Sequence, residues 1–309
     1  MPNKKHLAVF LWVLFFGMLG CSRGGKESSS SEKVSKKLRI LATTTIVEDM
    51  IRQSLGDLVD VEVLMGPGTD PHLYVASPRD YAKVKGASVV VYSGLHLEAK
   101  LGDLLNSLSR SKEVIELSSF LPKGRVIVDS LRVPDPHFWF DPELWLTAGE
   151  GFAKRMQHIL PAHKATIRDN FSRWRRAVNE STNFARDQFA KIPPERRVLV
   201  TSHDAFRYFG RFFDIEVMSV LGVSTDAQIS IKKIENLVKD IKKRSVPAVF
   251  LETSVSPYAI QRIQEESGAK IGGELYGDSL GGPDTVASTY VGMLKHNAQI
   301  VVEGLTHEN

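Results

Sequence analysis

From residue 38 onward, short apolar runs alternate with amphipathic stretches, and this alternation limits the possible folds more than any other feature. Residues 88–92 (SVVVY) are a continuous β-branched run, as a strand covered on both faces requires. Residues 38–45 (LRILATTT) and 113–117 read as further strands, and 59–65 alternates into the turn Gly66-Pro67-Gly68. Between them, helices are expected at 46–55, closed by Gly56, at 78–85, opened by Pro78, and at 95–108. The second half repeats the style, with strands expected at 197–201, 247–251 and 270–275 and helices at 230–244, 257–267 and 284–305. The last helix would carry Val286, Tyr290, Met293, Leu294, Ala298 and Val301 on one face. Such alternation implies parallel sheets with helices on both sides.

Between the halves lies a polar stretch, 163–191, whose apolar positions are Ile167, Phe171, Trp174, Val178, Ala185 and Phe189. They recur every three or four residues except across Ser181, and Pro161 and Pro193-Pro194 bound them. The period predicts one helix about 40 Å long, enough to run from one lobe to another. The expected fold class is therefore α/β, two lobes each with a mainly parallel sheet flanked by helices, joined by one long rigid helix. A single larger α/β domain with a long surface helix is the alternative. In the two-lobed reading, 1–20 is a signal peptide, 21–37 a lipidated flexible tether, 38–160 the first lobe, 161–192 the linking helix and 193–309 the second lobe.

The assignment of residues 1–37 rests on their chemistry. Lys4, Lys5 and His6 precede an apolar run, 7–19, that is short for a membrane span and suited to a signal sequence. The run ends at Met18-Leu19-Gly20-Cys21, which resembles a bacterial lipobox with acylation at Cys21. Cys21 is the only cysteine, so no disulfide can form within the chain and thiolate metal chemistry is excluded from the folded part. Residues 22–37 are rich in Gly, Ser, Lys and Glu and cannot bury enough surface to order themselves. The 309-residue chain as a whole, 42% hydrophobic and 25% charged, has globular composition. Its net charge of +4 falls to about +2 once Lys4 and Lys5 leave with the signal, and the basic residues form no aromatic-interleaved stripe, so nucleic acid is not an expected partner.

Four of the nine histidines lie near expected strand ends or in loops, namely His72, His96, His137 and His203. Ligands of open α/β sheets bind outside the carboxyl ends of strands. His72 and His137 each occupy an Asp-Pro-His tripeptide, where proline stiffens the backbone as a site with fixed ligand distances needs. His203 ends a strand in TSHDAF, and Asp278 follows the last strand in GELYGDSLGG. His96 sits at the expected start of a helix, where capping or packing accounts for it. Each histidine taken singly reads more readily as a buried ring satisfied by backbone; the repeated tripeptide argues against that reading.

The stretches GPGTDPHLYVASPRD, YSGLHLEAKL, DPHFWFDP, TSHDAFRYF and GELYGDSLGG, spread over the chain, resemble the cluster A-I solute-binding lipoproteins of bacterial manganese, zinc and iron ABC transporters. The resemblance implies that His72 and His137 in the first lobe and His203 and Asp278 in the second hold one divalent ion, Zn²⁺ or Mn²⁺ with iron third. It also implies delivery to a membrane permease by a lipid-anchored, extracytoplasmic monomer. His203 stands where receptors of the pneumococcal manganese type carry glutamate, and 109–135 contains no His-rich loop of the zinc-specialised kind. Asp70, Asp135, Asp141, Asp204 and Glu252 are the candidates to accept a ligand imidazole N–H and fix its tautomer; caps and turns beside proline are the competing role for the aspartates. Two other functions compete with transport. A zinc hydrolase needs an open water position and a general base, yet the chain has no HExxH, and four ligands leave little room for catalytic water. A surface adhesin would use the anchor and tether but would not explain the four ligands.

Overall fold

The chain's structure, a computed structural model, describes residues 37–129 and 132–306. The expected signal peptide, Cys21 and nearly all of the tether lie outside the described residues. The first strand, β1 (Leu38–Ala42), buries Ile40, Leu41 and Ala42, and Thr44 ends it by accepting the Val47 amide and capping α1 (Thr45–Leu55). Gly56, at φ +54°, stops that helix, and the chain returns as β2 (Val59–Val63). Ser77 and Asp80 form a reciprocal capping box around Pro78 and open α2 (Pro78–Gly86). Then come β3 (Val89–Tyr92), α3 (Gly102–Leu108) and β4 (Glu113–Glu116). The four strands are parallel in the order β2-β1-β3-β4.

Asp141 caps α4 (Pro142–Ile159), and after a short turn α5 (Lys164–Phe189) runs for 26 residues. Its buried positions include all six that the period marks, and they pack against α1, α4 and the last helix of the chain. Ser181, which interrupts the period, is buried and donates its hydroxyl to the Val178 carbonyl at 2.8 Å. Where α4 crosses α5, a Cβ on Gly149 would lie 2.7 Å from the Trp174 ring, so only glycine fits.

The second half comprises β5 (Val198–Thr201), α6 (Arg207–Phe213), β6 (Glu216–Ser219), α7 (Ile231–Arg244), β7 (Ala248–Glu252), α8 (Tyr258–Ser267), β8 (Lys270–Leu275) and α9 (Tyr290–Thr306). Strands β5 and β6 pair in parallel, as do β7 and β8, and the two pairs meet where β5 lies beside β7. The fold is α/β, with parallel strands flanked by helices in both lobes and α5 linking them. One apolar core runs from β1, α1 and α4 through α5 to α6 and α9. A smaller one lies between α7, α8 and the strands β5 and β7.

Three expectations need correction. The strand β6 and the helices α4 and α6 are absent from the sequence pattern; β6 is only four residues long and half-buried, so it offers little alternation to read. The last helix begins at Tyr290, not at 284, and Val286 is 74% exposed. Residues 95–98 are not helical: Leu95 and His96 follow Gly94 in left-handed conformations (φ 52° and 66°), so His96 sits in a turn.

Candidate metal centre

Four polar loops converge at the carboxyl ends of the strands. His203 lies two residues beyond β5, Asp278 three beyond β8, and Glu252 is the last residue of β7. His72 and His137 come from the loops that follow β2 and precede α4. These loops bring His72, His137, His203 and Asp278 together with one ligand atom from each within 4.8 Å of every other. All four are buried, His72 at 4% exposure and the rest at 0%.

The three imidazoles present the same nitrogen. His72 Nε2 lies 3.2 Å from His137 Nε2, and Asp278 sits 3.4 Å from His137 Nε2, 3.3 Å from His203 Nε2 and 3.8 Å from His72 Nε2. Asp278 Oδ1, Asp278 Oδ2 and His203 Nε2 are buried without a hydrogen bond. Buried polar atoms left unpaired cost free energy, and a converging set of them calls for a partner of opposite charge.

The outward nitrogens are held from behind. His137 Nδ1 is 2.8 Å from Asp135 Oδ1, and both side chains are fully buried. His203 Nδ1 is 2.7 Å from Glu252 Oε2, close but off the line of a good hydrogen bond. Glu252 Oε1 accepts the backbone N–H of Ser202 and of His203, at 2.8 and 3.0 Å. Gly277 permits this packing, since a Cβ there would lie 3.1 Å from Glu252 Oε2. Asp70 holds the backbone of its histidine and not the ring, accepting His72 N at 2.8 Å. Asp141 serves the fold instead, accepting the Glu143 and Leu144 amides at the start of α4 and pairing with Arg125 and Arg211. Asp204 lies 3.6 Å from Arg207.

Charge in the cluster is unbalanced. Burial pulls His72 down to about 3, which leaves it neutral. Burial would do the same to His137, but the facing carboxylates of Asp135 and Asp278 outweigh it and raise the ring to about 9. His203 is likewise raised, against burial, by Glu252 and Asp278. Burial would raise the Asp278 carboxyl, yet the facing histidines hold it well below the usual range. Three buried carboxylates thus demand positive charge, and without a cation the protons on His137 and His203 supply it.

Several groups that support the loops gave no signal in the sequence. Trp139 Nε1 donates to Gly277 O at 3.2 Å, Gly68 N to Ser279 Oγ at 2.9 Å and Leu280 N to Thr45 Oγ1 at 2.7 Å, so first-lobe residues grip the Asp278 loop on both sides. Tyr290 N donates to Asp49 Oδ2 and its hydroxyl to Trp139 O, tying α9 to the same frame. Gly68, Trp139, Gly277, Ser279 and Leu280 stand in the quoted stretches; Thr45, Asp49 and Tyr290 lie outside them. The cavity between Tyr92, His96, Glu98 and Glu116 is separate from the cluster, so His96 does not join the other three histidines.

The sequence of residues 40–304 matches the family described as ZnuA, zinc-uptake complex component A, periplasmic. The chain is 35% identical over 301 residues to the manganese-binding lipoprotein MntA of Bacillus subtilis, covering 95% of this chain and 97% of that protein. It is 33% identical over 300 residues to the zinc-binding protein TroA of Treponema pallidum, covering 95% and 96%. The solved structure of the periplasmic zinc-binding protein TroA superposes with a TM-score of 0.85 at 32% identity, over 88% of this chain and all of that one. With the fold, the convergent loops and these likenesses in agreement, the chain belongs to the zinc-uptake component A family, the metal-ion substrate-binding proteins of bacterial ABC transporters.

Proposed function

We propose that this protein captures one divalent transition-metal ion with His72 Nε2, His137 Nε2, His203 Nε2 and Asp278 and presents it to the membrane permease of an ABC importer. The observation that carries the reading is the sealed cluster in which both Asp278 oxygens and His203 Nε2 face inward without a hydrogen-bond partner. Three imidazoles with one carboxylate suit Zn²⁺ in four-coordination. Both Asp278 oxygens face the cluster unpaired, so a fifth donor is at hand for Mn²⁺ or Fe²⁺. The relatives fit either cargo, one being named for manganese and another for zinc at nearly equal identity. At a nitrogen-rich site zinc binds more tightly than manganese or ferrous iron, so metal supply decides what is carried. Zinc and manganese are the two cargoes proposed, iron the third.

Two ligands come from each lobe, within the boundaries 38–160, 161–192 and 193–309, and the ion favours the lobes together by as much as it binds that arrangement better. Cys21 carries the lipid anchor and 22–37 forms the tether, placing a monomer at the outer face of a membrane or in the periplasm. Among the described residues no helix is long and apolar enough to cross a membrane. Members of the family are receptors, and a cluster saturated by four protein ligands has no place for a hydrolytic water. Any adhesin role would be additional to transport.

The test is growth and metal accumulation of cells lacking this chain in medium depleted of zinc or of manganese. Wild-type chain restores uptake of one of the two metals, whereas Asp278→Ala and Cys21→Ala do not. Full restoration by Asp278→Ala would contradict the assignment.

A further inference from the structure

Both Asp-Pro-His tripeptides fold in the same way. In each, one aspartate oxygen accepts the backbone N–H of the histidine two residues on, Asp70 Oδ1 from His72 at 2.8 Å and Asp135 Oδ1 from His137 at 3.0 Å. In each, the other oxygen turns to the second lobe. Asp70 Oδ2 accepts the Thr225 hydroxyl at 2.6 Å, from the loop between β6 and α7. Asp135 Oδ2 faces Arg207 Nη1 at 3.7 Å, at the first residue of α6 and four beyond His203. Asp135 is fully buried, and its Oδ2 has no hydrogen bond, so the Arg207 guanidinium is its charge partner. The same residue that fixes a first-lobe ligand thus also touches the lobe that carries the other two.

We infer that Asp70 and Asp135, through Thr225 and Arg207, are positioning residues that make the placing of His72 and His137 depend on lobe closure. The inference rests on the receptor reading above and assigns the repeated tripeptide a second role beyond supplying histidines. When the lobes tilt apart, each aspartate loses its cross-lobe partner and keeps its contacts to its own histidine, the backbone N–H of His72 for Asp70 and the backbone N–H and ring Nδ1 of His137 for Asp135. His72 and His137 are then held by one contact fewer, so the site loosens as it opens. These contacts exist only in the closed arrangement and therefore act on metal release more than on capture. A hydrogen bond to a charged acceptor in partial burial is worth roughly a ten-fold change in rate when deleted, and the longer ion pair about three-fold. The exposed pair of Arg244 and Glu216, at 2.6 Å within the second lobe, touches neither aspartate nor any of the four cluster residues, so it serves as an internal control.

The experiment loads the purified protein with Zn²⁺ or Mn²⁺ alone and follows release into excess chelator by stopped flow. Thr225→Val, which keeps the shape and deletes the hydroxyl, speeds release about ten-fold, and Thr225→Ser restores the wild-type rate. Arg207→Gln speeds it about three-fold and Arg207→Lys largely restores it, while Glu216→Gln releases at the wild-type rate. The metal-free melting temperatures of Thr225→Val and Arg207→Gln stay at the wild-type value, which separates coupling from loss of fold. Release at the wild-type rate in Thr225→Val, Arg207→Gln and their double variant overturns the coupling alone. A wild-type protein that takes up neither ion overturns the receptor reading, and the coupling with it.

Discussion

At Glu252 one carboxylate meets three demands, since Oε1 accepts two backbone amides and Oε2 faces His203 Nδ1. Ligand imidazoles need such partners to fix tautomer and orientation. Glu252→Gln keeps the volume but places an N–H₂ group where an acceptor stood, so metal affinity should fall about 10- to 100-fold with the melting temperature little changed. Competition titration against a chelator of known affinity checks this; an unchanged affinity would remove Glu252 from the site. Protons give a second expectation. The metal-free protein holds His137 protonated up to about 9, and His203 is raised as well. Metal binds the deprotonated rings, so binding expels protons, and affinity must rise with pH up to about 9. Titrations in weakly buffered solution at neutral pH should register proton release, and an affinity flat from mild acid to pH 9 would contradict the proton-filled cluster. At this scale the sequence is informative in an uneven way. The histidines stand in motifs whose stiffness and repetition single them out, and Glu252 betrays itself as a charge at the end of a buried strand. Thr225 is one threonine in a polar loop, and only the fold brings it to Asp70.

Among the elements, the strands that are apolar throughout are the easiest to read, because covering both faces leaves no polar positions. Strand β3 and helix α5 agree with their patterns to within two residues at either end. Helix α9 starts later than its pattern suggests because 284–289 follows Gly281-Gly282-Pro283 and carries Val286 at a helical spacing, yet that residue faces solvent. Residues 95–98 look helical by spacing, but Gly94 admits a left-handed turn that carries Leu95 and His96 with it. Asp141 shows why a motif residue need not serve the site. It caps α4 and pairs with two arginines, so Asp141→Ala should cost about 1–2 kcal/mol and lower the melting temperature by about 2–6 °C, with metal affinity within about two-fold of wild type. Thermal melts beside metal titrations check both halves. A large loss of affinity with the melt unchanged would place Asp141 at the metal after all.

Over the whole molecule, one core joins both lobes through α5, and first-lobe groups hydrogen-bond to the Asp278 loop. Motion on binding should therefore be small tilts and loop ordering, not wide hinge opening. A ligand that binds the folded state alone raises its stability, by about 2.7 kcal/mol at a hundred times the dissociation constant. Thermal melts with Zn²⁺ or Mn²⁺ should rise accordingly in wild type and stay flat in Asp278→Ala. The central claim is that four side chains from two lobes hold one metal ion, and metal analysis after equilibrium loading of the purified protein tests it most directly. About one ion per chain in wild type, and little or none in His72→Ala, His203→Ala and Asp278→Ala, is the expected result. Stoichiometric metal retained in all three variants would contradict it.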